Sequence, residues 1–427
     1  MNSDANSIIY DVAVIGGGPA GMMSAGKAGE SGAKVILLEK NETLGVKLLI
    51  TGGGRCNVTN AELDIRKFLK KYKDSDKFLF STFSQFSVKD TLEFFNNRGM
   101  ETKIEAENRV FPVSDSAQSV WNVLFEYLKK GNVEIKTNAN VIGFETDSIN
   151  NSEIINKKIT AIKLKNGEKI FAKKIILATG GTSRPETGST GEGFNWLKDL
   201  GHNIIASNEA LVPVSLKDKW IKDLSGVTLQ NIKLTTFQNN QKQESHKGKL
   251  LFTHFGISGP TVLNMSKDIG ELLKYGEVEI RLDLLPHLDH GMMNSKLQEL
   301  FKLDDKKKIK NSLDSLIPSA LVPIVLILSG IDENKTNNSI TREERLKLIE
   351  IIKNIPLQVD SLLGSDKAIV SSGGVDLTEV DFKTMQSKII ENLYLVGDVL
   401  NIDRPSGGYS LQLCWTTGYV AGCGVVG

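Results

Sequence analysis

Apolar and polar positions in the first forty residues follow two different periods. The run from Val12 to Ile15 is continuously apolar, which is typical of a buried strand. Small residues then continue to about Ser31 in a pattern that fits a helix, and a second apolar run covers residues 35–38. Because a glycine-rich turn separates the first strand from the helix, the pattern predicts a strand–helix–strand unit with Glu39 directly after its second strand.

The glycine-rich turn has the spacing of a dinucleotide-binding fingerprint. Gly16 would form the tight turn, Gly18 would let the backbone approach a pyrophosphate, and Gly21 would let helix and strand pack closely. The N-terminus of the helix offers unpaired N–H groups to the phosphates. The carboxylate of Glu39 can accept from both ribose hydroxyls, which disfavours a 2′-phosphate. We therefore expect a bound dinucleotide, although a purely structural glycine turn is the alternative.

A second glycine cluster, Gly52 to Gly54, follows the acidic residue. Three adjacent glycines let the main chain approach a flat ligand or present N–H groups to it. Arg55 and Lys47 would add positive charge beside the pyrophosphate. A flexible surface loop is the alternative, but the position directly after the expected ribose-binding carboxylate favours a loop that lines the cofactor.

Farther along the chain, two more strands end in small polar turns. The buried run from Lys174 to Ala178 is followed by Thr179 and Gly180, and the run 393–396 is followed by Gly397 and Asp398. In an open parallel sheet, ligands bind at the carboxyl ends of the strands. We therefore expect these turns to lie beside the cofactor, with the carboxylate accepting from a polyol hydroxyl.

The pattern changes twice between these strands. Short alternating runs predict a β-rich inserted domain at residues 193–286, and a Lys-rich, mostly helical segment predicts a helical subdomain at residues 287–365. In that segment Thr341 and Glu344 have the spacing of a capping box. The expected fold class is thus α/β, with a discontinuous Rossmann-type domain at residues 1–192 and 366–427.

Composition and charge narrow the function classes. The 427 residues carry a formal net charge of +1, which argues against a nucleic-acid partner. The three cysteines form no C-x-x-C pair, so we expect a reducing compartment and no zinc site. No signal peptide and no membrane-spanning segment is expected, and the predicted location is cytoplasmic.

Separated motifs together resemble the two-dinucleotide-fold FAD proteins and, more narrowly, the BaiN-like flavoprotein family. They are the first glycine turn, Thr51 to Asn57, Arg109 to Pro112, Gly188 to Gly191, Phe252 to Pro260 and Gly407 to Gln412, in family order over nearly the whole chain. One departure is that Val396-Gly397-Asp398 stands where the family has Ala-Gly-Glu. The resemblance implies FAD as cofactor, with Asp398 at the ribityl chain, and an oxidoreductase activity of unspecified substrate.

The residues expected to bind FAD are Gly16, Gly18, Pro19, Ala20, Gly21, Glu39, Lys40, Lys47, Thr51, Gly53, Gly54, Arg55, Cys56, Asn57, Val141, Thr179, Gly180, Gly397, Asp398, Gly408, Tyr409, Ser410, Leu411 and Gln412. The N–H groups at the start of the helix near Tyr409 are expected to face the flavin pyrimidine edge.

Several side chains are candidates for chemistry beyond cofactor binding. His254 is a possible proton donor, Arg404 a possible ligand for an acidic or carbonyl-bearing substrate, and Tyr409 a possible proton donor, each with a structural role as the alternative. Cys56 lacks the second cysteine that a redox pair needs, so we expect it only to pack near the flavin. His287 and His290 have no third ligand nearby, and no metal site is expected.

Two function hypotheses remain open from the sequence. The first is an FAD enzyme acting on a small organic molecule, by C=C reduction or by amine oxidation, with NAD(P)H as a transiently bound electron donor, because only one dinucleotide fingerprint is present. The second is a flavoprotein that acts on a macromolecule, such as a tRNA-modifying enzyme, or that passes electrons to a protein partner.

Overall fold

In a computed structural model of the chain, residues 8–151, 154–205, 212–273, 275–363 and 373–427 are described. The helices and strands up to residue 205 are, in chain order, β1 (Ile9–Ile15), α1 (Pro19–Glu30), β2 (Val35–Leu38), α2 (Val46–Leu49), β3 (Thr59–Asn60), α3 (Ile65–Leu69), α4 (Asp76–Gln85), α5 (Val88–Asn96), β4 (Thr102–Ile104), β5 (Arg109–Pro112), α6 (Ala117–Lys130), β6 (Glu134–Lys136), β7 (Val141–Asn151), β8 (Ile154–Leu164), β9 (Lys169–Leu177), α7 (Glu192–Leu200) and β10 (Ile204–Ile205).

The remaining elements belong to the middle and the end of the chain. They are β11 (Val214–Leu216), β12 (Thr228–Gln238), β13 (Gln241–Thr253), β14 (Gly256–Ser258), α8 (Pro260–Leu273), β15 (Glu279–Asp283), α9 (His290–Leu303), α10 (Ile309–Leu313), α11 (Val322–Ser329), α12 (Arg342–Lys353), β16 (Ile355–Leu362), β17 (Gly374–Val375), β18 (Leu393–Leu395) and α13 (Tyr409–Gly424). The chain divides into two compact units, a first unit of residues 1–208 and 369–427 and a second unit of residues 209–368.

A mixed sheet forms the centre of the first unit. Its strand order is β6-β2-β1-β9-β8-β7, and β18 pairs with β9 outside this path. The strands β6, β2, β1, β9 and β18 are parallel neighbours, whereas β7 and β8 are antiparallel. The register aligns Ile15 with both Leu38 and Leu177, so the ends of β1, β2 and β9 lie together at one edge of the sheet. The expected Rossmann-type fold class is confirmed.

Small residues in α1 let two other helices approach it closely. A Cβ added at Gly26 would lie 2.3 Å from the ring of Tyr127 in α6, and one added at Gly418 in α13 would lie 2.6 Å from the carbonyl oxygen of Ala20. Neither position leaves room for a larger side chain. A glycine of α1 is therefore required for its contact with α6, and a glycine of α13 is required for the contact between α13 and α1.

The second unit is built around a closed barrel. Its strand order is β11-β14-β13-β12-β15-β16, with every described pair antiparallel. Inward-facing residues of the strands share one hydrophobic core with residues of α8 to α12. The sequence-based boundary between a β-rich and a helical domain, at residues 286 and 287, falls inside this unit. The boundary expected at residues 365 and 366 lies outside the described residues.

The structure differs from the sequence-based pattern at three elements. Helix α8 and nearly all of α7 lie in the range expected to be β-rich, and β16 lies near the end of the range expected to be mostly helical. Phe194, Leu197 and Leu200 follow a helical spacing, whereas Ile355, Leu357 and Val359 alternate as in a half-buried strand. The capping box of α12 is confirmed, because the backbone N–H groups and side chains of Thr341 and Glu344 bond reciprocally.

Candidate functional site

In the turn between β1 and α1, Gly16 and Gly21 are closely packed against backbone atoms, whereas Gly18 faces open space. A Cβ at Gly16 would lie 2.5 Å from the carbonyl oxygen of Ala178, and one at Gly21 would lie 1.9 Å from the carbonyl oxygen of Gly16. At Gly18 a Cβ would meet no atom within 4 Å. The first two glycines are therefore needed for packing within the protein, while Gly18 leaves the backbone accessible from outside.

The first turn of α1 is free of side-chain caps. Gly18 is the N-cap residue, Pro19 occupies the first turn, and the N-cap side of the helix has no side-chain hydrogen bond. Unpaired N–H groups at a helix start carry partial positive charge. This geometry suits an anionic phosphate group next to Ala20.

Glu39 is held in place by the backbone around the same turn. Its Oε2 accepts a hydrogen bond from the N–H of Gly17 at 2.7 Å, its Oε1 accepts from the N–H of Asn41 at 2.8 Å, and the residue is 7% exposed. Its backbone carbonyl accepts from the N–H of Ala139, two residues before Val141. The neighbouring Lys40 donates to Thr190 and Glu192. Each carboxylate oxygen of Glu39 keeps a lone pair for a further donor.

The glycine loop has a left-handed backbone in the structure. Gly52, Gly53 and Gly54 have φ angles of 57°, 70° and 84°, and Cys56 follows with 61°. A Cβ at Gly52 would lie 2.9 Å from the backbone nitrogen of Asn57, whereas Gly53 and Gly54 face open space. The loop therefore exposes main chain at its tip, and Thr51 anchors its start by donating to the carbonyl of Leu48 at 2.7 Å.

Arg55 lies at the end of this loop but is engaged elsewhere. Its guanidinium donates to the carboxylates of Glu105 and Asp115 and stacks 4.2 Å from the ring centre of Phe111. These hydrogen bonds raise the pKa of the guanidinium. The expected role of Arg55 beside a pyrophosphate stays a prediction, and two carboxylates already match its charge.

Two buried polar atoms near the site lack a partner within the described part of the chain. They are Oδ1 of Asn57 and Oγ1 of Thr179, and both residues were expected to bind the cofactor. Thr179 and Gly180 follow β9 after Ala178, next to the turn at Gly16. A buried oxygen without a partner is costly, so each atom fits a site that a ligand donor completes.

A cluster of charged side chains surrounds Asp398, directly after β18. Oδ1 of Asp398 accepts from the guanidinium of Arg404, and its Oδ2 lies 3.6 Å from Nζ of Lys47. Lys47 in turn donates to Oγ of Ser183 at 2.6 Å. Burial would raise the pKa of Asp398, but the charges of Arg404 and Lys47 outweigh it and lower that pKa. Asp398 is therefore ionised at neutral pH.

The same cluster lies close to the start of α1. A Cβ at Gly397 would be 3.1 Å from Cβ of Ala20 and 3.5 Å from Sγ of Cys414. Asp398 therefore follows a residue that packs against the helix N-terminus described above. The carboxylate and the uncapped helix start belong to one region of the first unit.

The start of α13 is fixed by three contacts. A Cβ at Gly408, whose φ is +101°, would lie 2.3 Å from the carbonyl carbon of Thr59. The hydroxyl of Tyr72 donates to the carbonyl of Tyr409 at 2.8 Å, and the hydroxyl of Thr59 donates to Oε1 of Gln412 at 2.6 Å. These contacts hold the helix start against β3 and against the loop that precedes α4.

Several expected site residues have partners within the protein. The side chain of Gln412 is fully buried and also donates to Thr91 and Thr416, Ser410 accepts from Arg404, and the ring of Tyr409 packs 4.8 Å from that of Phe68. Leu411 is buried in the same helix turn. These side chains shape the site from behind, so a contact from this helix to FAD would use its backbone.

His254 differs from the residues above in its location. It lies in the second unit, in the turn between β13 and β14, where its side chain is exposed and its ring lies 4.9 Å from that of Phe255. All residues expected to bind FAD lie in the first unit. The proposed role of His254 in proton transfer stays a prediction.

Sequence reasoning missed Ser183 and Thr59. Ser183 accepts from Lys47, and Thr59 is buried between Gly408 and Gln412. Thr59 lies only two residues after the family motif Thr51 to Asn57, and this proximity could have indicated it. Ser183 carries no such signal, because its pairing with Lys47 depends on the tertiary fold.

The residues fit FAD on observations from the first unit alone. The open space at Gly18, the uncapped start of α1, the fixed carboxylate of Glu39 and the two unpaired buried oxygens provide sites for phosphate, ribose and polar donor groups. The same described residues contain no group of three His, Cys, Asp or Glu side chains that could hold a metal ion. Within them, no helix combines the length and the apolar character needed to cross a membrane.

Comparisons with known proteins agree with this site. The chain is 31% identical over 414 residues to the 3-dehydro-bile acid delta(4,6)-reductase of Clostridium scindens, covering 96% of this chain and 98% of that protein. It is 28% identical over 411 residues to the ribosomal RNA dihydrouridine synthase of Escherichia coli, covering 96% of each. The structure of 3-ketosteroid delta1-dehydrogenase from Sterolibacterium denitrificans shares the fold, with a TM-score of 0.54 at 12% identity over 98% of this chain and 99% of that one.

The family model described as HI0933-like protein Rossmann domain matches residues 10–424. This match spans both units, and the resemblance to BaiN-like flavoproteins is confirmed. The chain therefore belongs to the HI0933-like Rossmann-domain family, and it is an FAD-dependent oxidoreductase.

Proposed function

We propose that this enzyme reduces a carbon–carbon double bond conjugated to a carbonyl group, with NAD(P)H as the electron donor. The observation that carries the proposal is the pair of relatives matched over nearly their whole length. One name denotes reduction of delta-4,6 double bonds in a 3-oxo bile acid, and the other denotes saturation of uridine in ribosomal RNA. Both names therefore describe the reduction of a carbon–carbon double bond that is conjugated to a carbonyl group.

The chain would supply binding and a proton to this reaction. Bound FAD supplies the hydride chemistry. The other hydrogen arrives as a proton from an acid within reach of the substrate. His254 is the proposed donor, since its side chain is exposed in the loop between β13 and β14 and imidazole is the side chain that most often transfers protons in enzymes. Arg404 is less suited to contact a substrate, because its side chain is 1% exposed.

The nicotinamide nucleotide would bind transiently. Among the sheets of the described residues, only the one containing β1 has parallel strands, and its single glycine fingerprint is assigned to FAD. A second resident dinucleotide has no comparable site in this part of the chain. We therefore expect the donor to reduce the flavin and leave before the substrate is reduced.

The test is anaerobic reduction followed by single turnover. Mixing with NADH or NADPH should bleach the flavin absorbance, and adding a 3-oxo steroid with conjugated double bonds should restore it with a product two hydrogens heavier. The His254→Gln variant should keep the bleaching by NAD(P)H and lose the reoxidation by substrate. A flavin that neither nucleotide reduces, or a reduced flavin that no conjugated carbonyl compound reoxidises, would refute the proposal.

An RNA substrate is the second candidate, favoured by lysines on the barrel. Lys233 in β12 lies directly opposite Lys247 in β13, and Lys249 is two residues farther along β13. Alternation with the inward residues Leu234 and Leu250 places all three on the outer face. None of them forms an ion pair within the described residues, although like charges directly opposite each other are unfavourable in a sheet. A phosphate backbone would relieve this repulsion.

RNA binding is measured by its salt dependence. The substitution of Lys247 and Lys249 by Gln should lower the slope of log affinity against log salt by about 1.5, since each phosphate contact contributes about 0.7 to 0.9. The same double substitution at the exposed Lys306 and Lys307 is the control and should leave the slope unchanged. Equal slopes for both pairs would remove RNA as a candidate bound by this face.

A further inference from the structure

A buried ion pair closes the loop between β18 and α13. The side chain of Arg404 is 1% exposed and that of Asp398 is 13% exposed, and the two are joined through Oδ1 of the carboxylate. Arg404 also donates to the carbonyl oxygen of Ile402 at 2.7 Å and to Oγ of Ser410 at 3.1 Å. One guanidinium thus connects the carboxylate, the loop and the first turn of α13.

We propose that Arg404 is a positioning residue that keeps the carboxylate of Asp398 charged and correctly oriented for FAD. The proposal rests on the assignment of Asp398 to the FAD site, made above. Arg404 engages Oδ1, so the carboxylate cannot rotate without breaking this bond. Oδ2 remains on the side of Lys47, and the preceding Gly397 packs against Ala20 at the start of α1.

The surroundings of Asp398 explain why the arginine is needed. The groups around the pair are Lys47, Cys414, Tyr72 and Asp403, the last adjacent to Arg404 in sequence. Burial raises the pKa of the Cys414 thiol to about 12, so this group stays neutral. Burial likewise raises the pKa of the Tyr72 hydroxyl. Without Arg404, Lys47 at 3.6 Å would be the remaining positive charge next to the Asp398 carboxylate. Desolvation would then favour the protonated form of Asp398.

The experiment measures the affinity for FAD between pH 5.5 and pH 8 by fluorescence titration of the apoprotein. In the unmodified protein the affinity should be independent of pH in this range. Arg404→Gln should bind FAD with an affinity that falls at the acidic end by up to about tenfold per pH unit. Arg404→Lys, which keeps the charge, should restore the pH-independent affinity. Arg98→Gln, in the same unit and paired with Glu30, is the matched control.

A double variant separates positioning from folding. Arg404→Gln with Asp398→Asn removes the buried carboxylate charge and leaves only the partly exposed Lys47 without its carboxylate partner. This protein should therefore be more stable than Arg404→Gln alone, and its weak FAD binding should lose the pH dependence. If Arg404→Gln does not fold, FAD titrations of Ser410→Ala and Arg404→Lys test the proposal instead. Ser410→Ala removes only one hydrogen-bond partner of the guanidinium and should weaken FAD binding. Arg404→Lys should bind FAD independently of pH.

Each part of the assignment has its own refuting result. Normal FAD affinity in Asp398→Asn would show that Asp398 does not bind the cofactor. A second result would refute only the positioning role of Arg404. In that case FAD would bind weakly to Asp398→Asn, whereas Arg404→Gln would bind FAD with unchanged affinity at every pH. Because both readouts concern FAD binding, neither depends on the substrate proposed above.

Discussion

Single residues of the first unit are constrained by contacts that reach far along the sequence. Only glycine fits at position 408, because the backbone of Thr59 leaves no room for a side chain there. Thr59 lies in β3, near the other end of the sequence. Cys56 adopts a left-handed backbone and is completely buried beside the glycine loop. At Gly408 the residue type therefore follows from the local space and the positive φ.

Replacing Gly408 by Val should displace the start of α13 and weaken FAD binding. The added Cβ would lie 2.3 Å from the carbonyl carbon of Thr59, and a φ of +101° is unfavourable for valine. We expect the FAD affinity to fall at least about tenfold, which corresponds to about 1.4 kcal/mol. Gly99→Ala is the control, because Gly99 has a similar φ of +82° and open space around its Cβ position. Unchanged affinity and flavin spectrum in Gly408→Val would contradict this assignment.

Cys56 should be inert toward thiol reagents in the folded protein. Burial raises its pKa to about 12, so almost no reactive thiolate exists at pH 8. Brief treatment with iodoacetamide followed by peptide mass spectrometry should label the half-buried Cys423 before Cys56 and Cys414. Cys56→Ser should keep the rate of flavin reduction by NAD(P)H. Rapid labelling of Cys56, or loss of that reduction in the serine variant, would indicate a redox role instead.

At the scale of elements, a buried histidine joins α7 to the segment before β18. Nδ1 of His202 lies 2.8 Å from Glu379, and Nε2 lies 3.0 Å from Oγ of Ser387. Oγ of Ser387 already accepts from the N–H groups of Ile389 and Ile390, so its hydrogen is directed to His202. The ring is therefore neutral and donates from Nδ1 to the carboxylate.

This arrangement predicts a stability that declines in acid. Burial lowers the pKa of His202, and the hydrogen bond to Glu379 opposes this shift without cancelling it. The unfolded chain, with a histidine pKa of about 6.5, then binds more protons than the folded protein. Stability should be fully present above about pH 6.5 and fall below it by at most about 1.4 kcal/mol per pH unit from this residue.

Urea unfolding at pH 7.5 and pH 5.5 measures this contribution. His202→Gln should be less stable at pH 7.5 but should lose less stability on acidification than the unmodified protein. His287→Gln, which changes an exposed histidine, should keep the original pH dependence. Identical pH dependence in all three proteins would show that His202 does not titrate as described.

The sequence predicted those elements that are determined by residues close to one another in the chain. The run before Gly16, the start of α13 and the capping box of Thr341 depend on neighbouring residues, and the structure contains all three. The ion pairs of Arg55 could not be predicted, because Glu105 and Asp115 come next to it only in the folded chain. Strand β16 was missed because it completes a barrel whose other strands lie far earlier in the sequence.

At the scale of the whole molecule, the chain has two separate hydrophobic cores. One contains the sheet around β1 with the helices packed on it, and the other contains the barrel and α8 to α12. Every residue assigned to FAD belongs to the first of these cores or to loops of the same unit. Cofactor binding should therefore stabilise the two units unequally.

Hydrogen exchange with and without FAD tests this difference. At a free FAD concentration of 100 times Kd, a unit that unfolds with loss of the cofactor gains about 2.7 kcal/mol. Peptides from β1, α1 and α13 should exchange more slowly in the holoprotein, whereas peptides from β12 and β15 should exchange at nearly the same rate in both forms. Equal protection of both groups of peptides would mean that FAD also stabilises the second unit.

The packing of α13 against α1 has a consequence for how the enzyme is made. Gly418 meets Ala20 at the start of α1, and Asp398 and Gly408 come from the same late part of the sequence. All strands of the barrel are translated before these late residues. The second unit can fold while the first unit still lacks α13, so we expect flavin loading only after α13 has left the ribosome.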